Sequence, residues 1–180
     1  MTDRYVILDR DGTINIDSDE FIKSAEEWLP LPGSLEAIAL LNRHGFKVVV
    51  ITNQSGVARR LFDLATLAAM HDKMCLLAAE AGGRIEAVYC CTHGPDDACN
   101  CRKPKPGLFQ AFAKDKRIDL RHVYAIGDSF RDIEAALAAG ARPMLVKTGK
   151  GLKTLENHPQ LDLPIFENLY DAAKHIVSQS

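Results

Sequence analysis

The chain has 180 residues, 47% hydrophobic and 26% charged, a balance that fits one soluble globular domain over residues 1–180. A formal net charge of -2 and a pI near 6.3 exclude the basic footprint of a nucleic-acid-binding domain. No apolar run approaches the roughly 20 residues that cross a bilayer, and residues 1–8 lack the parts of a signal peptide; the expectation is a cytoplasmic protein with neither a membrane nor a nucleic-acid partner.

Short apolar runs alternate with longer segments of helical period. Residues 5–8 predict a first strand. Residues 33–44 come next as a helix, with Leu35, Ile38, Ala39 and Leu41 on one face and Gly45 as its stop signal. Residues 47–52 predict the second strand, and its unbroken apolar run from Val48 to Ile51 suits a strand covered on both faces. A helix over 64–81, a strand over 87–89, a helix over 108–114, a strand over 123–126, a helix over 132–139 and a strand over 144–146 complete the alternation. The tail adds an edge strand over 164–166 and a closing helix over 169–177. This order predicts an α/β fold, a parallel sheet with helices on both faces. No segment is large enough to form a cap domain, and no heptad pattern or long apolar stripe points away from a monomer.

In open parallel sheets, ligands bind beyond the carboxyl ends of the strands. The predicted strands end, in chain order, in Asp9-Arg10-Asp11-Gly12-Thr13, in Thr52-Asn53-Gln54-Ser55, in a cysteine cluster and in Gly127-Asp128-Ser129. Asp9, Asp11 and Asp128, with Asp132 one helical turn beyond, therefore converge on one edge. Clustered carboxylates repel unless a cation offsets them, and magnesium accepts a few carboxylates while keeping room for water and phosphate. A carboxylate can attack phosphorus, and a neighbouring one can protonate the leaving alcohol and then activate water. Thr52 and Lys103 supply a hydroxyl and a cation for the phosphoryl oxygens.

Of five cysteines, Cys75 sits alone in a helical stretch, while Cys90, Cys91, Cys99 and Cys101 crowd into one segment. Cys91, His93, Cys99 and Cys101 make a tetrahedral zinc set with no open position, hence structural; Cys90 is the alternative first ligand. The zinc-clipped loop runs straight into Arg102-Lys103-Pro104 and would aim both cations at a substrate.

Together these motifs resemble the haloacid dehalogenase-like phosphatases over residues 5–151: residues 9–14 their first motif, residues 52–54 the second, Lys103 the phosphate-binding lysine and residues 127–132 the acidic fourth motif. The resemblance implies a Rossmann-like sheet and phosphorylation of Asp9, with Asp11 as acid and base. It further implies magnesium held by Asp9, the Asp11 carbonyl and Asp128, with Asp132 in support. The zinc clip and residues 9–15 are similar to the histidinol-phosphatase-like branch. That likeness implies a small phosphorylated substrate: by the longer match a heptose bisphosphate losing its C7 phosphate in a route to lipopolysaccharide core, with histidinol phosphate as the alternative. It also implies that Asp17, Ser18, Asp19, Glu20, Asn53, Gln54 and Ser55 line the pocket and that Arg102 reads a phosphate or hydroxyl. Arg59, Arg60, Arg102, Lys103 and Lys105 are the cations available to offset two phosphates.

Overall fold

The computed structural model describes residues 3–180. Six strands, β1 (Arg4–Leu8), β2 (Phe46–Asn53), β3 (Ile85–Cys91), β4 (Tyr124–Gly127), β5 (Arg142–Val146) and β6 (Ile165–Phe166), form one sheet in the order β3-β2-β1-β4-β5-β6. Every pairing is parallel. The helices are α1 (Ser34–Arg43), α2 (Leu64–Glu80), α3 (Gly107–Lys116), α4 (Phe130–Ala138), α5 (Gly151–Asn157) and α6 (Leu169–Ser178).

The continuous apolar character of β2 reflects burial on two sides. Val48 and Val50 enter one core with Ile38 of α1, Met70 of α2 and Ala173 of α6. Val49 and Ile51 enter the other, with Phe109 and Phe112 of α3 and Ala135 of α4. Each fully buried aliphatic side chain contributes about 1.5–3 kcal/mol, so two-faced burial anchors the strand ends that carry the polar motifs. The predicted strands and helices all form, each end within two residues of its expected position. Helix α5 is additional. It is short, and its buried residues are Gly151 and Thr154, so no apolar period announces it.

The strand order reverses between β1 and β4, which places Asp9 and Asp128 on either side of the switch point where open parallel sheets bind ligands. Among the described residues, 9–33 and 92–106 contain no helix and no strand beyond isolated bridges at Asp11, Asn15 and Pro30. Loops, not a cap domain, therefore overhang the sheet edge. Among the same residues no helix is long and apolar enough to cross a membrane.

Candidate active site

At the carboxyl edge of the sheet lies a cavity of about 250 Å³, and Asp9, Asp11, Lys103, Asp128 and Asp132 line it. Asp9 leaves β1 directly, its backbone N–H donating to the Ile126 carbonyl of β4 at 2.9 Å. Lys103 is 3% exposed, and its ammonium lies 2.8 Å from Asp9 Oδ1, 2.7 Å from Asp132 Oδ1 and 2.8 Å from the Ile51 carbonyl. A buried ammonium with three oxygen partners stays charged: Asp132 and Asp9 outweigh the cost of burial and hold Lys103 above its ordinary value.

Asp132 is fixed from its own helix as well. Ser129 caps α4, and its hydroxyl and backbone N–H both donate to Asp132 Oδ2, at 2.8 and 3.0 Å. With Lys103 and these two donors, Asp132 is held below its ordinary value despite burial. Asp9 shares Lys103 but has no such pair of capping donors, and among the described residues Asp128 is in no ion pair. Burial, reinforced by Asp132, lifts Asp9 to about 7. Burial and the charges of Asp9 and Asp132 lift Asp128 well above the carboxylate range.

The carboxylate oxygens of Asp9, Asp128 and Asp132 lie within 4.8 Å of one another. The single charge of Lys103, shared between Asp9 and Asp132, does not balance three carboxylates, so the donor set fits a hard divalent cation. Asp11 does not add its carboxylate to this cluster. Its Oδ1 accepts from Arg10 and Asn15, and its Oδ2 from Gln54 Nε2 at 2.9 Å.

Asp128 is cradled by backbone that carries no side chain. Gly12 has φ +83, and a Cβ there would lie 2.1 Å from Asp128 Oδ2; a Cβ on Gly149 would lie 2.3 Å from the same oxygen. The Lys150 N–H donates to Asp128 Oδ2 at 2.7 Å, Thr154 Oγ1 donates to the Asp128 carbonyl at 2.9 Å, and Thr148 Oγ1 to the Gly12 carbonyl at 2.7 Å. Sequence reasoning missed Thr148, Lys150 and Thr154; the Thr-Gly-Lys-Gly run after β5 was the available signal.

The loops over the sheet edge bring most of the other expected residues to the cavity. Asp17, Ser18, Asp19, Asn53, Gln54, Ser55 and Arg102 line it, joined by Phe21, Ile22, Arg59, Arg131 and Lys150. Glu20 is exposed on the overhanging loop and outside the lining. Thr52 is 1% exposed beneath the lining, its hydroxyl accepting from Gln54 Nε2 at 2.9 Å. Arg60 and Lys105 stay out of the lining, and Lys105 Nζ donates to the Cys99 carbonyl. Arg59 stacks over Phe21 with 5.5 Å to the ring centroid, tying two overhanging loops together.

Beside this cavity, Cys91, His93, Cys99 and Cys101 bring four ligand atoms within 4.8 Å of one another. Cys91 Sγ is 3.0 Å from Cys101 Sγ and 3.5 Å from His93 Nδ1, and His93 Nδ1 is 3.2 Å from Cys101 Sγ. Three thiols and one imidazole converging in this way fit zinc at its usual bond lengths of about 2.0–2.3 Å. Cys90, one residue earlier on β3, points to the opposite face and packs against the α1/α2 core, so Cys91 is the member that joins the cluster.

Comparison with known proteins agrees with this geometry. A family model described as HAD-hydrolase-like matches residues 100–172. A D-glycero-beta-D-manno-heptose-1,7-bisphosphate 7-phosphatase of Pseudomonas putida is 52% identical over 174 residues, 97% of this chain and 99% of that protein. The enzyme of the same name from Bordetella bronchiseptica is 55% identical over 152 residues, 84% of this chain and 85% of that one. The crystal structure of the B. bronchiseptica D,D-heptose 1,7-bisphosphate phosphatase complexed with magnesium and phosphate superposes with a TM-score of 0.96 at 49% identity, covering 98% of this chain and 99% of that one. At such identity over nearly full length, the chain belongs to the D-glycero-beta-D-manno-heptose-1,7-bisphosphate 7-phosphatase family of haloacid dehalogenase-like hydrolases.

Proposed function

We propose that this chain hydrolyses the 7-phosphate of D-glycero-β-D-manno-heptose 1,7-bisphosphate, feeding lipopolysaccharide core synthesis, as a magnesium-dependent phosphatase with a structural zinc. One observation carries the choice of a bisphosphate. Arg59, Arg102 and Arg131 line the mouth of the cavity, and among the described residues none of the three is in an ion pair. Burial and repulsion from Arg131 and Arg59 pull Arg102 below its ordinary value. Three cations without an ion-pair partner call for an anion, while the Asp9–Lys103 floor accounts for only one phosphate. Histidinol phosphate has a single phosphate and a cationic body, and three arginines at the mouth repel it.

Asp9 attacks the phosphorus at C7, the phosphorus–oxygen bond to the sugar breaks, and Asp11 gives its proton to the departing hydroxyl. Asp11 then takes a proton from water, whose oxygen attacks the same phosphorus. The bond to Asp9 breaks, releasing inorganic phosphate. Lys103 holds the phosphoryl oxygens throughout. Magnesium, when bound by Asp9, Asp128 and the Asp11 carbonyl, offsets the negative charge gathered there. Zinc on Cys91, His93, Cys99 and Cys101 stiffens the loop bearing Arg102 and Lys103. Asp17, Ser18, Asp19 and Ser55 contact the sugar.

The test is magnesium-dependent phosphate release from the β and α heptose bisphosphates and from histidinol phosphate, with size-exclusion chromatography to check the proposed monomer. The expected result is a kcat/KM for the β anomer at least tenfold above the others, and its loss by about tenfold in Arg131→Ala (one charged hydrogen bond, about 1.5–3 kcal/mol). A preference for histidinol phosphate would overturn the substrate.

A further inference from the structure

Arg10 stands between Asp9 and Asp11, is fully buried, and takes no part in the proposed bond-making and bond-breaking steps. Its Nε and Nη2 donate to Asp11 Oδ1 at 3.1 and 2.9 Å, and the same oxygen accepts from Asn15 Nδ2 at 2.9 Å. Its remaining nitrogen, Nη1, points away from the cavity to α2. There it lies 3.3 Å from His71 Nε2 and 3.8 Å from Met70 Sδ. A guanidinium only donates, so His71 Nε2 is the bare, accepting nitrogen of a neutral ring with its proton on Nδ1. Burial and the Arg10 charge, opposed by Asp11 and Asp72, push His71 down to about 4, in keeping with a neutral ring.

We propose that His71 is a positioning residue for the reaction: by accepting from Arg10 it sets the guanidinium plane, which holds Asp11 Oδ1 and leaves Oδ2 as the oxygen that exchanges the proton. The inference rests on the assignment of Asp11 as acid and base. Three N–H donors saturate Oδ1, whereas among the described residues Oδ2 accepts only from the Gln54 amide. The Asp11 side chain is 24% exposed and lines the cavity, so a proton on Oδ2 has access to the leaving group. A guanidinium released at its Nη1 end can turn about its stem and carry Asp11 with it. Small misplacements of an acid/base group cost rate rather than ground-state binding.

The experiment compares wild type, His71→Leu and His71→Gln as full chains with saturating magnesium, measuring phosphate release from β-heptose 1,7-bisphosphate. Leu removes the acceptor, and Gln restores one through its side-chain carbonyl. The expected result is a kcat about tenfold lower for His71→Leu with KM within about twofold, and a His71→Gln kcat within about threefold of wild type. Unchanged kcat in His71→Leu overturns the proposal, and so does equal loss in both variants, the mark of a packing role. Imidazole ¹⁵N NMR on the wild type needs no variant to fold: an unprotonated Nε2 with protonated Nδ1 at neutral pH supports the proposal, and a protonated Nε2 overturns it. An active wild type with an active His71→Leu sinks this inference alone; a wild type silent on all the phosphate esters sinks the phosphatase reading and this inference with it.

Discussion

The side-chain amide of Asn53 grips the main chain of Lys103 from both sides: Asn53 Nδ2 donates to the Lys103 carbonyl and Asn53 Oδ1 accepts from the Lys103 N–H, each at 3.0 Å. The end of β2 is thereby joined to the loop after the cysteine cluster, 50 residues on, at the lysine that faces Asp9. Asn53 lines the cavity, and each of its polar side-chain atoms makes one bond of this clamp.

Asn53→Ala removes both bonds and frees the Lys103 backbone. We expect a stability loss of about 2 kcal/mol, from two hydrogen bonds at about 1 kcal/mol each, and a kcat about 100-fold lower because the ammonium no longer holds its place. Urea denaturation and steady-state phosphate release check the two parts.

Gly12→Ala sets a methyl group against Asp128 Oδ2 at a backbone angle of φ +83. The left-handed conformation alone costs about 1–2 kcal/mol for an L residue, and relief of the collision must push Asp128 aside. Expected are a magnesium affinity lowered at least tenfold and a kcat at least 100-fold lower, read by magnesium titration of activity.

The metal-free protein carries buried carboxylates without a sufficient counter-charge. Asp9 is lifted to about 7 and Asp128 well above the carboxylate range. A folded-state pKa above the unfolded one contributes stability that is full below about 4 and is lost as pH rises through the folded value. Stability without added magnesium should therefore fall by about 2 kcal/mol or more between pH 5 and pH 8, and magnesium should restore it. Without added magnesium at pH 8, Asp128→Asn should melt above wild type and gain nothing from the ion. Thermal melts with and without the ion decide it.

Cys99→Ser removes one of the four proposed zinc ligands from the loop that leads to Lys103. Bound zinc should drop from one equivalent to a small fraction, and the melting temperature by about 10 °C. That corresponds to about 3 kcal/mol at roughly 2–4 °C per kcal/mol for a chain of this size. KM should rise with it as Arg102 loses its support. Metal analysis that finds no zinc in the wild type would rule out the clip.

Asp9→Asn should abolish phosphate release while leaving the circular dichroism spectrum unchanged, since Lys103 keeps its ion pair with Asp132 at 2.7 Å. Residual turnover near wild type would rule out attack by Asp9.

The strands, the edge they share and the acidic motifs at that edge were legible because their causes are local. Val48 to Ile51 is apolar at every position, which only burial on both faces explains, and parallel strands deliver their trailing residues to one side. The cluster of Cys91, His93, Cys99 and Cys101 was legible for the same reason, through ligand types at short spacing. Within it, the choice between Cys90 and Cys91 was open, since alternation along β3 sends neighbours to opposite faces and the register of β3 against β2 decides which.

The sheet, the order of polar motifs along its edge, and the chemistry of aspartates, lysine and thiols all follow from the order of residues along the chain. Only the tertiary structure decided how each charge is balanced. Asp132 is paired with a lysine 29 positions away in the chain, whereas Asp128 is left to the single backbone N–H of Lys150 and to the closely packed Gly12 and Gly149. It likewise decided that Arg10 reaches 61 residues along the chain to His71, and that Arg131 joins Arg59 and Arg102 at the mouth of the cavity. The reason is physical: periodicity and turn chemistry act over a few residues, whereas desolvation and Coulomb interaction depend on distances in space that a one-dimensional pattern does not contain.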